Sequence, residues 1–173
     1  MTESGGRGAD RTAALIRHLT TRGLTVAVAE SLTGGLLVAE LIRPAGASAV
    51  VRGGVVAYAT AIKSSVLGVD TELLAEHGAV HPLVAEQMAA GIRRVLSIDG
   101  READIGISTT GVAGPDPQDG RQPGAVYLGL SQARGTRSIG LTLSGDRDTI
   151  RRETVSAAID YLIGITGAGS AGS

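Results

Sequence analysis

Leu24-Thr25-Val26-Ala27-Val28-Ala29-Glu30-Ser31-Leu32-Thr33-Gly34-Gly35 reads as a strand running into a helix. Residues 24–29 are almost uniformly apolar and do not alternate, the pattern of a strand buried on both faces. Such strands belong to parallel sheets covered by helices on either side. Beyond Glu30 the pattern changes. Thr33 opens a helix over 34–42, which Pro44 and Gly46 stop. Ser31 therefore falls at the junction. In open α/β sheets this edge collects ligands, and a helix start offers unpaired backbone N–H groups and a partial positive charge.

Working outward, Asp10 caps a helix over 10–21 with Ala14, Leu15, His18 and Leu19 on one face, ended by Gly23. A second strand spans 53–60, followed by a short segment carrying Lys63. Asp70 caps a short helix to His77, Gly78 breaks it, and Pro82 sits in the first turn of a longer helix to about residue 97. A third buried strand covers 103–109 and leads into a Gly/Pro-rich loop over 110–124. Strands over 125–132 and 137–144 are joined by Ala133-Arg134-Gly135-Thr136, a hairpin signal. Asp146 caps a last helix to about residue 163. The prediction is an α/β chain: a single-domain three-layer α/β/α sandwich over 10–164, with a mixed sheet that includes one hairpin. Residues 1–9 read as a disordered tail and 165–173 as a flexible tail.

Composition narrows the function. The 173 residues are 43% hydrophobic but only 2% aromatic, with no Phe or Trp, so the core must be aliphatic and closely packed around glycine. A formal net charge of −1 provides no electrostatic footprint for direct nucleic-acid binding. The absence of cysteine excludes disulfides, thiol catalysis and thiolate metal sites, and fits a cytoplasmic location. No apolar run approaches a membrane span. Of 16 Lys plus Arg, only Lys63 is lysine. In a chain that otherwise uses arginine, a retained lysine draws notice because lysine can lose its proton and arginine cannot.

Three places carry candidate chemistry. Ser31, with Thr33, Gly34 and Gly35, offers a nucleophile beside helix N–H groups, although Ser31 or Thr33 as a simple cap is an ordinary alternative. Tyr58 lies near the end of the second strand and Lys63 just beyond it, and both could converge on Ser31, a neutral lysine taking the serine proton. Thr110, Gly111, Ala113 and Gly114 follow the third strand and could form an anion-binding nest. Arg147 opens the last helix and could bind a phosphate or join a salt bridge. His77 and His81 are four apart, but Gly78 and Pro82 break the helix that would align them, so no metal site is predicted.

In this order, Ala29-Glu30-Ser31-x-Thr33-Gly34-Gly35, Gly53-Gly54-x-Val56-x-Tyr58 with Lys63 and Leu67-Gly68-Val69, Gly78-Ala79-Val80, Thr110-Gly111-Val112-Ala113-Gly114-Pro115 and Gly145-Asp146-Arg147 resemble the CinA C-terminal domain, or nicotinamide-nucleotide amidase, family. The resemblance covers roughly residues 10–164. It implies deamidation of nicotinamide mononucleotide to nicotinic acid mononucleotide and ammonia, in pyridine-nucleotide salvage. It implies a serine nucleophile, falling on Ser31, with Tyr58 and Lys63 in support, no cofactor, and a homo-oligomer. A non-catalytic nucleotide-binding or competence-associated interaction module of the same fold is the alternative. Three departures from the family pattern bear on substrate binding more than on the nucleophile: Asp116-Pro117 after Pro115, Thr60 two residues after Tyr58, and Arg121-Gln122 before Pro123.

Overall fold

A computed structural model describes residues 5–168. The elements run α1 (Gly5–Arg22), β1 (Val26–Glu30), α2 (Leu36–Ile42), β2 (Val51–Val56), α3 (Thr60–Ser65), α4 (Thr71–His77), α5 (Pro82–Val95), β3 (Ile105–Gly111), β4 (Ala125–Gln132), β5 (Gly135–Thr142) and α6 (Arg147–Thr166). The sheet order is β2-β1-β3-β4-β5. β1 pairs in parallel with both β2 and β3, and β4 and β5 continue the sheet antiparallel. The α/β sandwich with a mixed sheet and one hairpin is thus the observed architecture.

β1 shows why the sequence folds this way. All five residues are buried. Val26 and Val28 face a core shared with α1, α2 and α6, built from residues such as Leu15, Leu37, Ile107 and Ile159. Ala27 and Ala29 face the other way, toward Val84, Met88 and Ile92 of α5. Small residues on that second face let α5 lie directly on the sheet. A Cβ at Gly106 would come within 2.0 Å of the Ala89 carbonyl, and one at Gly129 within 2.0 Å of the Ala85 carbonyl. Glycine at these two positions is what allows so close a helix-on-sheet contact.

Several caps sit where expected. Asp70 accepts from the Glu72 N–H, Asp146 from the Thr149 N–H, and Pro82 starts α5 behind His81, whose Nδ1 accepts from the Leu83 N–H. Other boundaries move. α1 begins at Gly5, so Asp10 lies inside it rather than capping it, and residues 5–9 are helical rather than tail. α6 continues to Thr166, past the expected boundary at 164, until Gly167 caps it in the left-handed region. The tail expectations for residues 1–4 and 169–173 lie outside the described residues. The hairpin turn is shorter than expected, only Ala133 and Arg134 separating β4 from β5. β3 runs on through Gly111, because Thr109, Thr110 and Gly111 pair with Leu128, Tyr127 and Val126.

The parallel strands end together. Glu30 is in register with Val56 on one side and Thr109 on the other. The chain leaves β1 toward β2 by way of α2, while β3 pairs on β1's opposite flank. The end of β1 is therefore the topological switch point, where open sheets form a crevice.

Candidate active site at the end of the first strand

Ser31 is the first residue after β1, and its N–H donates to the Thr109 carbonyl at 3.0 Å. The strand is thus continued by one more bond before the chain turns. Thr33 is fully buried, its hydroxyl 2.8 Å from that of Thr109, and it takes no part in lining the cleft. Gly34 and Gly35 both have positive φ, 60° and 100°, where glycine is the least strained residue.

The capping group of α2 is neither Ser31 nor Thr33 but Glu30. Its fully buried carboxylate accepts from the N–H groups of Gly35, Leu37 and Val38 at 2.9, 3.1 and 2.8 Å. A carboxylate is well placed at a helix N-terminus, where the free amides and the macrodipole are positive. This corrects one expectation: the Gly35 amide is engaged by Glu30 and is not open to a ligand. The Gly34 amide is also used, donating to the Ser31 carbonyl at 3.1 Å. Among the described residues, the amides of Leu32 and Thr33 are the members of this turn without a protein acceptor.

Lys63 reaches Ser31 from α3. Its side chain is 1% exposed, and Nζ lies 3.0 Å from Ser31 Oγ, 2.7 Å from the Ala57 carbonyl and 3.5 Å from the Tyr58 carbonyl. No carboxylate forms an ion pair with it among the described residues. Burial pushes the Lys63 ammonium down from its ordinary 10.5 to about 8, against a smaller opposing pull from the Asp119 charge. The partners also orient the neutral amine. Carbonyls only accept, so the two remaining protons face Ala57 and Tyr58 and the lone pair is left for the Ser31 hydroxyl.

Tyr58 is placed differently from Lys63. Its backbone carbonyl faces Nζ, but the side chain is 62% exposed and its hydroxyl accepts from Arg147 Nη2 at 3.1 Å. Arg147 also donates through Nη1 to the Gly114 carbonyl at 2.7 Å. The Tyr58 hydroxyl thus belongs to the rim of the cleft with Arg147, not to the Ser31–Lys63 contact.

The cleft itself holds about 150 Å³ and is open to solvent. Ser31, Leu32, Tyr58, Ala113, Gly114 and Arg147 are among the residues that line it, with Gly111 and Asp116. Thr110 borders it, but its buried hydroxyl donates to the Ala79 carbonyl at 2.7 Å, which removes it as a free ligand contact. Gly111 is fixed by strand pairing. A Cβ there would lie 2.7 Å from the Ala125 carbonyl, so a bulky side chain would disturb β4 before it reached a ligand. Two features absent from the sequence expectations complete the site. One is the capping role of Glu30. The other is Arg151, whose Nε and Nη2 donate to the carbonyls of Leu32 and Thr33 at 3.0 and 3.3 Å.

This is an α/β sandwich with a serine–lysine pair buried at the switch point of its sheet, and solved structures share the fold. A CinA superfamily protein from Klebsiella pneumoniae matches with a TM-score of 0.86 and 30% identity, covering 93% of this chain and 98% of that one. The competence/damage inducible protein of Agrobacterium tumefaciens matches with a TM-score of 0.85 and 34% identity, covering 95% and 99%. The family model for the CinA C-terminal domain matches residues 9–166, and the chain belongs to that family. It is 48% identical over 144 residues to a CinA-like protein of Frankia casuarinae, covering 83% of this chain and 32% of the relative. A putative competence-damage inducible protein of Geobacillus kaustophilus is 45% identical over 149 residues, covering 86% and 35%. The chain thus spans about a third of the length of these curated relatives. No described helix is long and apolar enough to cross a membrane.

Proposed function

We propose that the chain is an amidase that hydrolyses the carboxamide of nicotinamide mononucleotide through Ser31. The observation that carries this reading is the 3.0 Å contact between Ser31 Oγ and a fully buried lysine amine with no carboxylate partner. A structural lysine would be expected to pair with an acid or reach water. One held by neutral oxygens, its proton affinity lowered, suits a general base. The substrate is taken from the family resemblance. A guanidinium at the rim, on Arg147, is chemically suited to its phosphate.

In this mechanism neutral Lys63 takes the Ser31 proton as Oγ attacks the carboxamide carbon. The carbonyl oxygen becomes an oxyanion, received by the unengaged amide of Leu32, which lines the cleft. Lys63 then returns the proton to the departing nitrogen, the C–N bond breaks, and ammonia leaves behind an acyl ester on Ser31. Water, deprotonated by the same lysine, attacks the ester; the acyl–Oγ bond breaks, Lys63 returns the proton to Ser31 Oγ, and nicotinic acid mononucleotide is released. With a lysine titrating near 8, roughly a tenth is neutral at pH 7, and kcat/KM rises with pH to a midpoint near that value.

The test is ammonia release from nicotinamide mononucleotide by the purified protein, with Ser31→Ala beside it. Wild type should turn over and the variant should lose at least about 10⁴-fold in kcat, in line with nucleophile removal in serine hydrolases. The variant should stay folded, because Lys63 keeps its two carbonyl partners. Saturable nucleotide binding without ammonia would favour the non-catalytic binding module. Ammonia release undiminished in folded Ser31→Ala would exclude Ser31 as nucleophile.

A further inference from the structure

Arg151 lies one turn after Arg147 on α6 and sits behind the Ser31 turn, away from the rim. Its planar fork meets two successive carbonyls, those of Leu32 and Thr33, at 3.0 and 3.3 Å. The third nitrogen is 3.9 Å from Asp148, an i,i+3 neighbour that steadies the side chain. Gly34 faces the same guanidinium, at which a Cβ would stand 3.5 Å away, and its φ of 60° disfavours any other residue.

Trans peptide geometry turns these contacts into an aiming device. In a trans peptide the C=O and the following N–H point to opposite sides. Drawing the Leu32 carbonyl toward α6 turns the Thr33 N–H away from α6. Drawing the Thr33 carbonyl the same way turns out the Gly34 N–H, which donates to the Ser31 carbonyl at 3.1 Å. Holding the Ser31 carbonyl in turn sets the direction of the Leu32 N–H. The two amides so governed are those without a protein acceptor, and Leu32 lines the cleft. Glu30 fixes the next amides from the opposite side of the turn. The cation on the Thr33 carbonyl also polarises its peptide, making the Gly34 N–H a better donor to the Ser31 carbonyl and, through that peptide, the Leu32 N–H a better donor in turn.

We infer that Arg151 is a positioning residue, fixing the turn through which the Leu32 amide is aimed at the developing oxyanion; the inference rests on the reading of Ser31 as the nucleophile. It touches no substrate. Its loss should therefore lower kcat and leave ground-state binding and the titration of Lys63 alone. Lysine is a poor replacement, since an ammonium cannot serve two carbonyls with a planar fork.

The experiment compares wild type with Arg151→Gln and Arg151→Lys. Three readouts are taken: kcat and KM for nicotinamide mononucleotide, the pH midpoint of kcat/KM, and the rate at which a fluorophosphonate labels Ser31. The label needs the nucleophile and its oxyanion donor but not the nucleotide, so it tests the inference even where wild type releases no ammonia and the substrate assignment fails. Expected for folded Arg151→Gln is a fall of about 10- to 100-fold in kcat and in labelling rate, short of the 10²–10³ for deleting a donor outright. KM should stay within about twofold, the midpoint should not move, and Arg151→Lys should fall between. Should Arg151→Gln fail to fold, Arg151→Lys carries the same comparison at smaller amplitude. Labelling within about twofold of wild type in the folded variants would overturn the inference, as would a loss accounted for by KM or by a displaced pH midpoint.

Discussion

The two ends of the sheet both set polar side chains against a cleft, and they use them in opposite ways. At the start of β1 and β3, Asp104 accepts from the Thr25 N–H and hydroxyl at 2.8 and 2.7 Å. Arg52 donates to the Leu96 and Arg101 carbonyls. The cleft there, lined by Thr25, Arg52, Ile98 and Arg101 among others, is the larger of the two, about 370 Å³ against about 150 Å³. Its polar groups are engaged in tying strand ends to loops. At the other end Lys63 is fully buried without an ion-pair partner and touches a serine. Cleft size therefore does not separate function from framework here. What separates them is whether a titratable group has been left free to change its protonation.

The largest expected effect breaks the Lys63 side of that contrast. Arginine at position 63 stays protonated at any working pH, so Lys63→Arg should lose about 10³-fold in kcat/KM, within the range for general-base removal, and should show no recovery at high pH. Activity within tenfold of wild type in the folded variant would reduce Lys63 to an electrostatic role. Stability offers a second view. The folded Lys63 titrates near 8 and the unfolded lysine near 10.5, so between these values the unfolded chain binds more protons. Burial of the charge costs stability below pH 8, and that cost is relieved as pH rises to 10.5. Relative to Lys63→Met, wild type should gain up to roughly 3 kcal/mol across that window, measured by urea unfolding at several pH values.

A smaller effect tests the opposite end. Burial pushes the Asp104 carboxyl up, but the Thr25 hydrogen bonds and the Arg52 charge together hold it below its ordinary 3.8. Its contribution is therefore present above that value and lost as pH falls through the lowered one. Asp104→Ala should cost about 1 kcal/mol at neutral pH, the net worth of such bonds on an exposed group, and leave kcat unchanged. A fall in kcat larger than about threefold in a still-folded variant would mean that the two ends are coupled.

How far the sequence carried these conclusions depends on whether a signal was local. β1 was legible because burial on both faces leaves an unbroken apolar run, and the caps at Asp70 and Asp146 because a capping side chain acts within its own turn. Lys63 was legible by contrast, as the lone lysine of an arginine-using chain. Glu30 was missed although it carried a hint: an acid at the end of a doubly buried strand needs donors, and the nearest are the amides of the helix that follows. Arg151 was illegible, since its partners lie 118 and 119 residues away and nothing local marks it among the other arginines. Thr110 and Gly111 misled because small residues after a strand look alike whether they cradle a ligand or continue the ladder, and only the pairing with Tyr127 and Val126 decides.

The smallest expected effect is the sharpest probe of the contrast. Asp119 lies on the loop between β3 and β4, where its Oδ2 accepts from the Ala79 N–H at 2.9 Å. Its charge is the one that opposes the burial of Lys63. Asparagine keeps an acceptor for Ala79 and removes the charge, whereas alanine would also release the loop from its contact with Gly78, at which a Cβ would come within 2.5 Å of the Asp119 side chain. Without the negative charge the protonated lysine loses stabilisation, so the midpoint of kcat/KM against pH should move below about 8, by a few tenths of a unit for a solvent-screened charge. Activity on the acid limb then rises by about twofold at pH 7, while the plateau at high pH stays level or dips slightly, as a weaker base transfers protons less readily. An unmoved or raised midpoint in a folded Asp119→Asn would show that the lysine is tuned by burial alone. The same profile measured on Asp104→Ala should coincide with wild type, because that carboxylate serves the other end of the sheet. A displaced midpoint there would mean that the charges of the framework end also reach Lys63, and the division between the two ends would fail.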